Sequence, residues 1–167
     1  MLLALYWGLA QAQPDAPNVR YEPSPDNVVR TMTDLAAVKS GDVVYDLGCG
    51  DGRIVIAAAK LGARAVCVDI DPVRIAEAQE NARSEGVAER IAFRNQDLFA
   101  VDLSDASVVM LFLSPEFNLK LRPRLQKLAS GTRIVSHWHN MGDWMPQKAL
   151  RVTHGLRAHP VYLWVIP

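Results

Sequence analysis

The chain has 167 residues, half of them hydrophobic and 22% charged, with 18 Lys plus Arg against 18 Asp plus Glu. That length suits one domain around a single core, and a formal net charge of zero removes any global field that would recruit nucleic acid or an anionic membrane. Arg122, Arg124 and Lys127 read as a solvated helix face, with a local basic patch as the alternative. Two cysteines, Cys49 and Cys67, make neither a disulfide framework nor a zinc site, and both read as small apolar residues in a reducing compartment.

In chain order, Met1 to Ala10 ("MLLALYWGLA") is apolar and runs into Ala10-Gln11-Ala12, which resembles a small-x-small cleavage site. No basic region precedes it, and it is too short to span a bilayer, which takes about 20 apolar residues. An export signal, a surface anchor and an arm docking on the domain stay open. Residues 11–25, rich in Pro, Gln and Asp, read as a linker, so 1–25 is an arm and 26–167 the folded domain.

The spacing of Val28, Val29, Met32, Leu35 and Ala36 predicts a helix over 27–38, with Asp26 as its cap. Asp42 to Leu47 reads as a strand, 52–61 as a helix, 63–71 as a strand and 72–86 as a helix, with Pro72 in its first turn and Gly86 at its end. Strands follow at 90–99 and 107–114, then a helix over 115–130 that Pro123 should bend or split. Residues 132–139 give another strand, and 150–156 with 160–167 a terminal hairpin. Strands alternating with helices give an α/β fold: a Rossmann-like, doubly wound, mostly parallel seven-stranded sheet with an antiparallel C-terminal hairpin, in one domain. Ligands of such sheets bind at the carboxyl ends of the strands, where the strand order reverses.

"DLGCGDGR", residues 46–53, lies at that position, with a strand before it and a helix after it. Asp69 ends the next strand, 17 residues past Gly52, where a carboxylate can accept from ribose hydroxyls. A dinucleotide fingerprint would place a sixth-position glycine where Arg53 stands, and Asp46 and Asp51 would repel pyrophosphate. The P-loop ending is absent as well. A ribose-bearing ligand with no phosphate and a net positive charge suits the loop, and S-adenosylmethionine is such a ligand.

"VVYDLGCGDGRIVI", "VDIDP" and "NQDLF" resemble, in order and spacing, the first three motifs of class I S-adenosylmethionine-dependent methyltransferases. More narrowly, "YEPSP", "GDGR" and "FLSPEFNLKLRPRL" followed by "GTRIVSH" resemble small bacterial relatives of the ATP synthase c-subunit lysine N-methyltransferases. The resemblance implies that Asp46 faces the methionine end of the cofactor and that Gly48, Gly50 and Gly52 let the backbone approach it. It implies that Asp69 holds the ribose, Ile70 packs on the adenine, Asp97 accepts from the adenine amino group and Leu98 offers its amide. Tyr21, Glu22 and Pro23 would fold over the cofactor. Ser114, Pro115 and Glu116 would end the fourth strand, where this fold presents the acceptor. The Asn/Asp-Pro-Pro-Tyr/Phe sequence of enzymes that methylate bases or glutamine is replaced by "LSPE", which weakens nucleobase methylation.

Plainer roles stand beside these. Asp97 can cap a turn, Asp71 the second helix, and Glu116 can complement a helix dipole. His137 and His139 share one face of the strand as a metal pair or a base would, but without a third ligand no metal is expected. Trp138 and Trp144 read as core more than as rim. The expected function is methyl transfer from S-adenosylmethionine to a protein lysine, with Glu116 as candidate base and Phe112, Phe117 and Trp138 as an apolar acceptor pocket. A small-molecule acceptor and a non-catalytic cofactor-binding module are the alternatives. The expected partner is a protein or peptide, membrane-embedded acceptors included, with no nucleic acid. The cytosolic origin of the cofactor favours a cytoplasmic protein, with Met1–Ala10 as a route to membrane association.

Overall fold

The computed structural model describes residues 21–167; the readings placed on Met1–Ala10 and on Ala10-Gln11-Ala12 fall outside them. The elements run α1 (Asp26–Leu35), β1 (Val43–Leu47), α2 (Arg53–Lys60), β2 (Arg64–Asp69), α3 (Pro72–Ser84), β3 (Ile91–Asn95), β4 (Val108–Leu111), α4 (Pro115–Leu125), β5 (Arg133–His137), β6 (Lys148–His154) and β7 (Arg157–Val165). The seven strands form one sheet in the order β3-β2-β1-β4-β5-β7-β6. Strands β1 to β5 pair in parallel, while β7 pairs antiparallel with β5 and β6. The order reverses between β1 and β4, so a crevice opens at their carboxyl ends.

Every residue of β1 is buried, and the two-residue period divides them between two cores. Val44 joins the side covered by α1, α2 and α3, with Val55, Ala78 and Met110. Tyr45 and Leu47 join the side covered by α4, with Leu121, Leu125 and Trp164. No helix among the described residues is long and apolar enough to cross a membrane.

Four local expectations are corrected. Helix α1 starts after Pro25, and Asp26 lies inside its first turn with no capping hydrogen bond. Helix α4 continues through Pro123 to Leu125, because proline in the last turn withholds one bond, to the carbonyl of the half-exposed Leu119. The basic residues of that helix are not simply solvated. Arg124 donates to the carbonyls of Phe99 and Val101, and Arg122 donates to the Met141 carbonyl and pairs with Asp143. Trp138 is exposed rather than core.

The cysteines are the largest correction. Cys49 and Cys67 form a disulfide with Cα atoms 5.3 Å apart, so neither is a free thiol of a reducing compartment. The amides of Gly48 and Cys49 both donate to the Val68 carbonyl, at 2.8 and 3.1 Å. That pairing carries the loop after β1 back against β2 and brings together sulfurs 18 residues apart in sequence.

Candidate functional site

Beyond the Val68 bonds and the disulfide, the loop after β1 is fastened to β2 through Asp69. Its Oδ2 accepts from the Gly50 amide and its Oδ1 from the Asp71 amide, both at 3.0 Å. Gly50 takes φ +54°, and a Cβ there would lie 2.4 Å from the Tyr21 ring. Gly52 caps α2 in the left-handed conformation, φ +81°, and a Cβ there would sit 2.9 Å from Ala78 Cβ of α3. Gly52 is thus required by helix packing and does not line the cavity.

That cavity, about 520 Å³, is of ordinary size for a small ligand. At one end lie Asp69, Ile70, Asp97 and Leu98. Asp97 also does its plainer work, its Oδ1 accepting from the Phe99 amide at 2.8 Å. In the middle Asp46 reaches the cavity, 1% exposed, with no hydrogen-bond partner for Oδ2. Burial first, then the charges of Asp69 and Asp51, push its carboxyl well above the ordinary range. An orphaned carboxylate oxygen beside two further acidic groups calls for a cationic ligand, which the sulfonium and α-ammonium of S-adenosylmethionine supply. Asp51 is already committed: burial opposes its charge, but the Arg53 guanidinium, 3.0 Å away through Nε, outweighs this and lowers its carboxyl below the usual range.

Residues 21–24 form a roof. The Tyr21 ring covers Gly50, with the Arg74 guanidinium 4.6 Å from its centroid. Arg53 Nη1 donates to the Ser24 carbonyl at 2.8 Å. Ser24 Oγ bonds His137 Nδ1 at 2.8 Å, and His137 Nε2 bonds His159 Nδ1 at 2.9 Å. The Phe112 ring packs on His137, centroids 4.1 Å apart. Burial first, then the neighbouring His159 and His139, lower His137 to about 4, so it is neutral at pH 7. Between about 6.5, its unfolded value, and about 4, the unfolded chain binds more protons. Stability is therefore lost as the pH is lowered through that window, by up to about 3 kcal/mol. Urea titrations at pH 7 and pH 5 should show this loss in the native protein and a flatter dependence in His137→Gln. Equal slopes would remove His137 as its source.

On the side of β4 and β5 lie Phe112, Leu113, Ser114, Phe117, Lys120 and His139. Ser114 also caps α4, its Oγ accepting from the Phe117 amide at 3.3 Å. Pro115 and Glu116 are exposed on the first turn of α4 and do not line the cavity; neither does Trp138. Tyr21, Glu22, Pro23, Asp46, Gly48, Gly50, Asp69, Ile70, Asp97 and Leu98 all do. The two histidines do not share a face. Strand β5 ends at His137, Trp138 takes φ +73°, and His137 turns under the roof while His139 reaches the cavity. No group of three metal-ligating side chains converges among the described residues.

A family profile described as the ANTKMT methyltransferase domain matches residues 46–148. A protein-lysine N-methyltransferase of Saccharolobus islandicus is 46% identical over 153 residues, covering 90% of this chain and 95% of that protein. An ATP synthase c-subunit lysine N-methyltransferase of Xenopus laevis is 34% identical over 75% of this chain, which spans 56% of that protein's length. Among solved structures, one described as an RNA methyltransferase from Salinibacter ruber, in complex with S-adenosyl-L-homocysteine, has 47% identity and a TM-score of 0.82, covering 87% of this chain and 94% of that one. With its strand order, its Asp69-tethered loop and its cation-seeking cavity, the chain belongs to the ANTKMT methyltransferase family and is an S-adenosylmethionine-dependent methyltransferase.

Proposed function

We propose that the methyl acceptor is the side-chain amine of a lysine in a protein. The observation that carries this is the 46% identity along nearly the whole length of a protein-lysine N-methyltransferase. The acceptor end of the cavity agrees with it. Phe112, Leu113 and Phe117 make its walls largely apolar, which favours the neutral amine over the ammonium. Only the neutral amine has a lone pair for the methyl group. The balance of 18 basic and 18 acidic residues supports a protein acceptor over RNA, although the Salinibacter relative is described as an RNA methyltransferase.

In this reading Asp69 holds the ribose, Ile70 and Leu98 flank the adenine, Asp97 accepts from its amino group, and Asp46 meets the amino-acid end of the cofactor. When bound, the cofactor supplies an electrophilic methyl group on a good leaving group. The chain then has to align the acceptor and exclude water, and neither task needs a covalent intermediate. Tyr21 to Ser24 close the cavity above the loop. Donor synthesis in the cytosol supports a cytoplasmic protein, whereas the Cys49–Cys67 disulfide favours an oxidising compartment. The names of two relatives, which specify the ATP synthase c-subunit and the adenine nucleotide translocase, make membrane-protein acceptors part of the proposal.

The test is incubation of the full chain with labelled S-adenosylmethionine and a cell lysate, followed by separation and hydrolysis of protein, RNA and small-molecule fractions. Methyl-lysine in the protein hydrolysate is the expected result. Label confined to nucleosides or to small molecules would overturn the lysine reading.

A further inference from the structure

The chain spends buried polar groups and one unfavourable backbone conformation on placing His139. The His139 amide donates to the His137 carbonyl at 2.9 Å across Trp138, closing a three-residue turn. Its central residue is a tryptophan at φ +73°, a conformation costly for a bulky side chain and concentrated at functional sites. The His139 carbonyl is held from two sides, by Ser136 Oγ at 2.6 Å and Asn118 Nδ2 at 3.1 Å. Ser136 and Asn118 have no solvent exposure, and they bond each other at 3.1 Å. All this fixes the backbone of a half-buried residue whose side chain faces the cavity beside Phe112 and Phe117.

Resting on the lysine reading above, we propose that His139 is the catalytic residue that receives the proton of the acceptor ammonium. An N–H bond of the ammonium breaks, its electron pair stays on nitrogen, and the proton joins the free imidazole nitrogen of His139. The amine then attacks the methyl carbon as the carbon–sulfur pair leaves on sulfur, and the imidazolium passes its proton to water. Burial lowers His139 below its ordinary value, so at pH 7 it is free to accept. The ammonium must be acidified to give its proton up, and Lys120 on α4, lining the same cavity, acts in that direction. Glu22 of the roof lines the same cavity, and His137, beneath the roof, is close enough for His139 to perturb it; β4 and the turn after it contribute only Phe112, Leu113 and Ser114.

The test compares initial rates of methyl-lysine formation on lysate protein from about pH 6 to 9.5 for the native chain, His139→Gln, Glu22→Gln and Glu116→Gln. His139→Gln should lose about 100-fold near neutral pH, with S-adenosylmethionine affinity by calorimetry within about twofold of native. The loss should shrink to about tenfold or less at the top of the range, as solution deprotonation nears the lysine value of about 10.4. Glu116→Gln should keep the native rate within about twofold. A His139→Gln loss equal at every pH would mark a structural role and overturn the proposal, as would no loss. The pH-dependent pattern appearing in Glu22→Gln instead would overturn it too. Methyl transfer to lysine by no protein in the set sinks the lysine reading itself, an outcome separate from these.

Discussion

An Asp69→Ala protein should fold and yet bind S-adenosylmethionine at least about 100-fold more weakly. Each oxygen of this carboxylate takes one backbone amide, Gly50 on one side and Asp71 on the other. Hydrogen bonds to a charged acceptor contribute about 1.5–3 kcal/mol each, so losing them loosens the loop at Gly50 and the turn at Asp71, while Gly48 and Cys49 stay bonded to Val68. In the proposed mode the variant also loses the ribose contacts. Asp69→Asn keeps one acceptor oxygen and should fall between the two, near tenfold. The substitution has a second consequence at Asp46, whose carboxyl is raised partly by the Asp69 charge; without that charge Asp46 ionises more readily. Calorimetric titration of both variants checks this. Native affinity in Asp69→Ala would mean that the loop is ordered without its tether.

The second large effect is expected from the crosslink. Replacing Cys49 and Cys67 by serine should lower stability by about 3 kcal/mol, the loop-closure value for a separation near that of these cysteines, or on the order of 10 °C in Tm. A dithiol reductant should bring the oxidised native protein down to the same Tm and leave the double variant where it is. Thiol-specific alkylation followed by mass measurement reads the state of the cysteines in each sample. Native protein that alkylates fully without reductant, and whose Tm matches the variant, would refute the crosslink as a stabilising element.

The elements, their order and the site's position followed from alternating patterns and from the glycine loop, because those signals are local. What stayed hidden depended on distance or on a single backbone choice. Cys49 and Cys67 meet only because β1 pairs with β2 and the loop folds back on Val68; neither has a local neighbour that announces it. His137 and His139 have the spacing of one strand face, and only the positive φ of Trp138 sends them to different environments. Gly52 sits in a ligand-loop pattern but answers to Ala78 on another helix. Glu116 drew notice for its chemistry, and the first turn of α4 points it to solvent. The lone carboxylate oxygen of Asp46 was invisible for the converse reason: a missing partner leaves no mark in a sequence.

The roof over the cavity is built differently from everything beneath it. Among the described residues, no backbone-to-backbone hydrogen bond ties Tyr21 to Ser24 to the rest of the chain. The segment is held by a ring on a glycine, a guanidinium on a carbonyl and a hydroxyl on an imidazole. Spent cofactor can therefore be exchanged for fresh by releasing a few side chains while every strand stays paired.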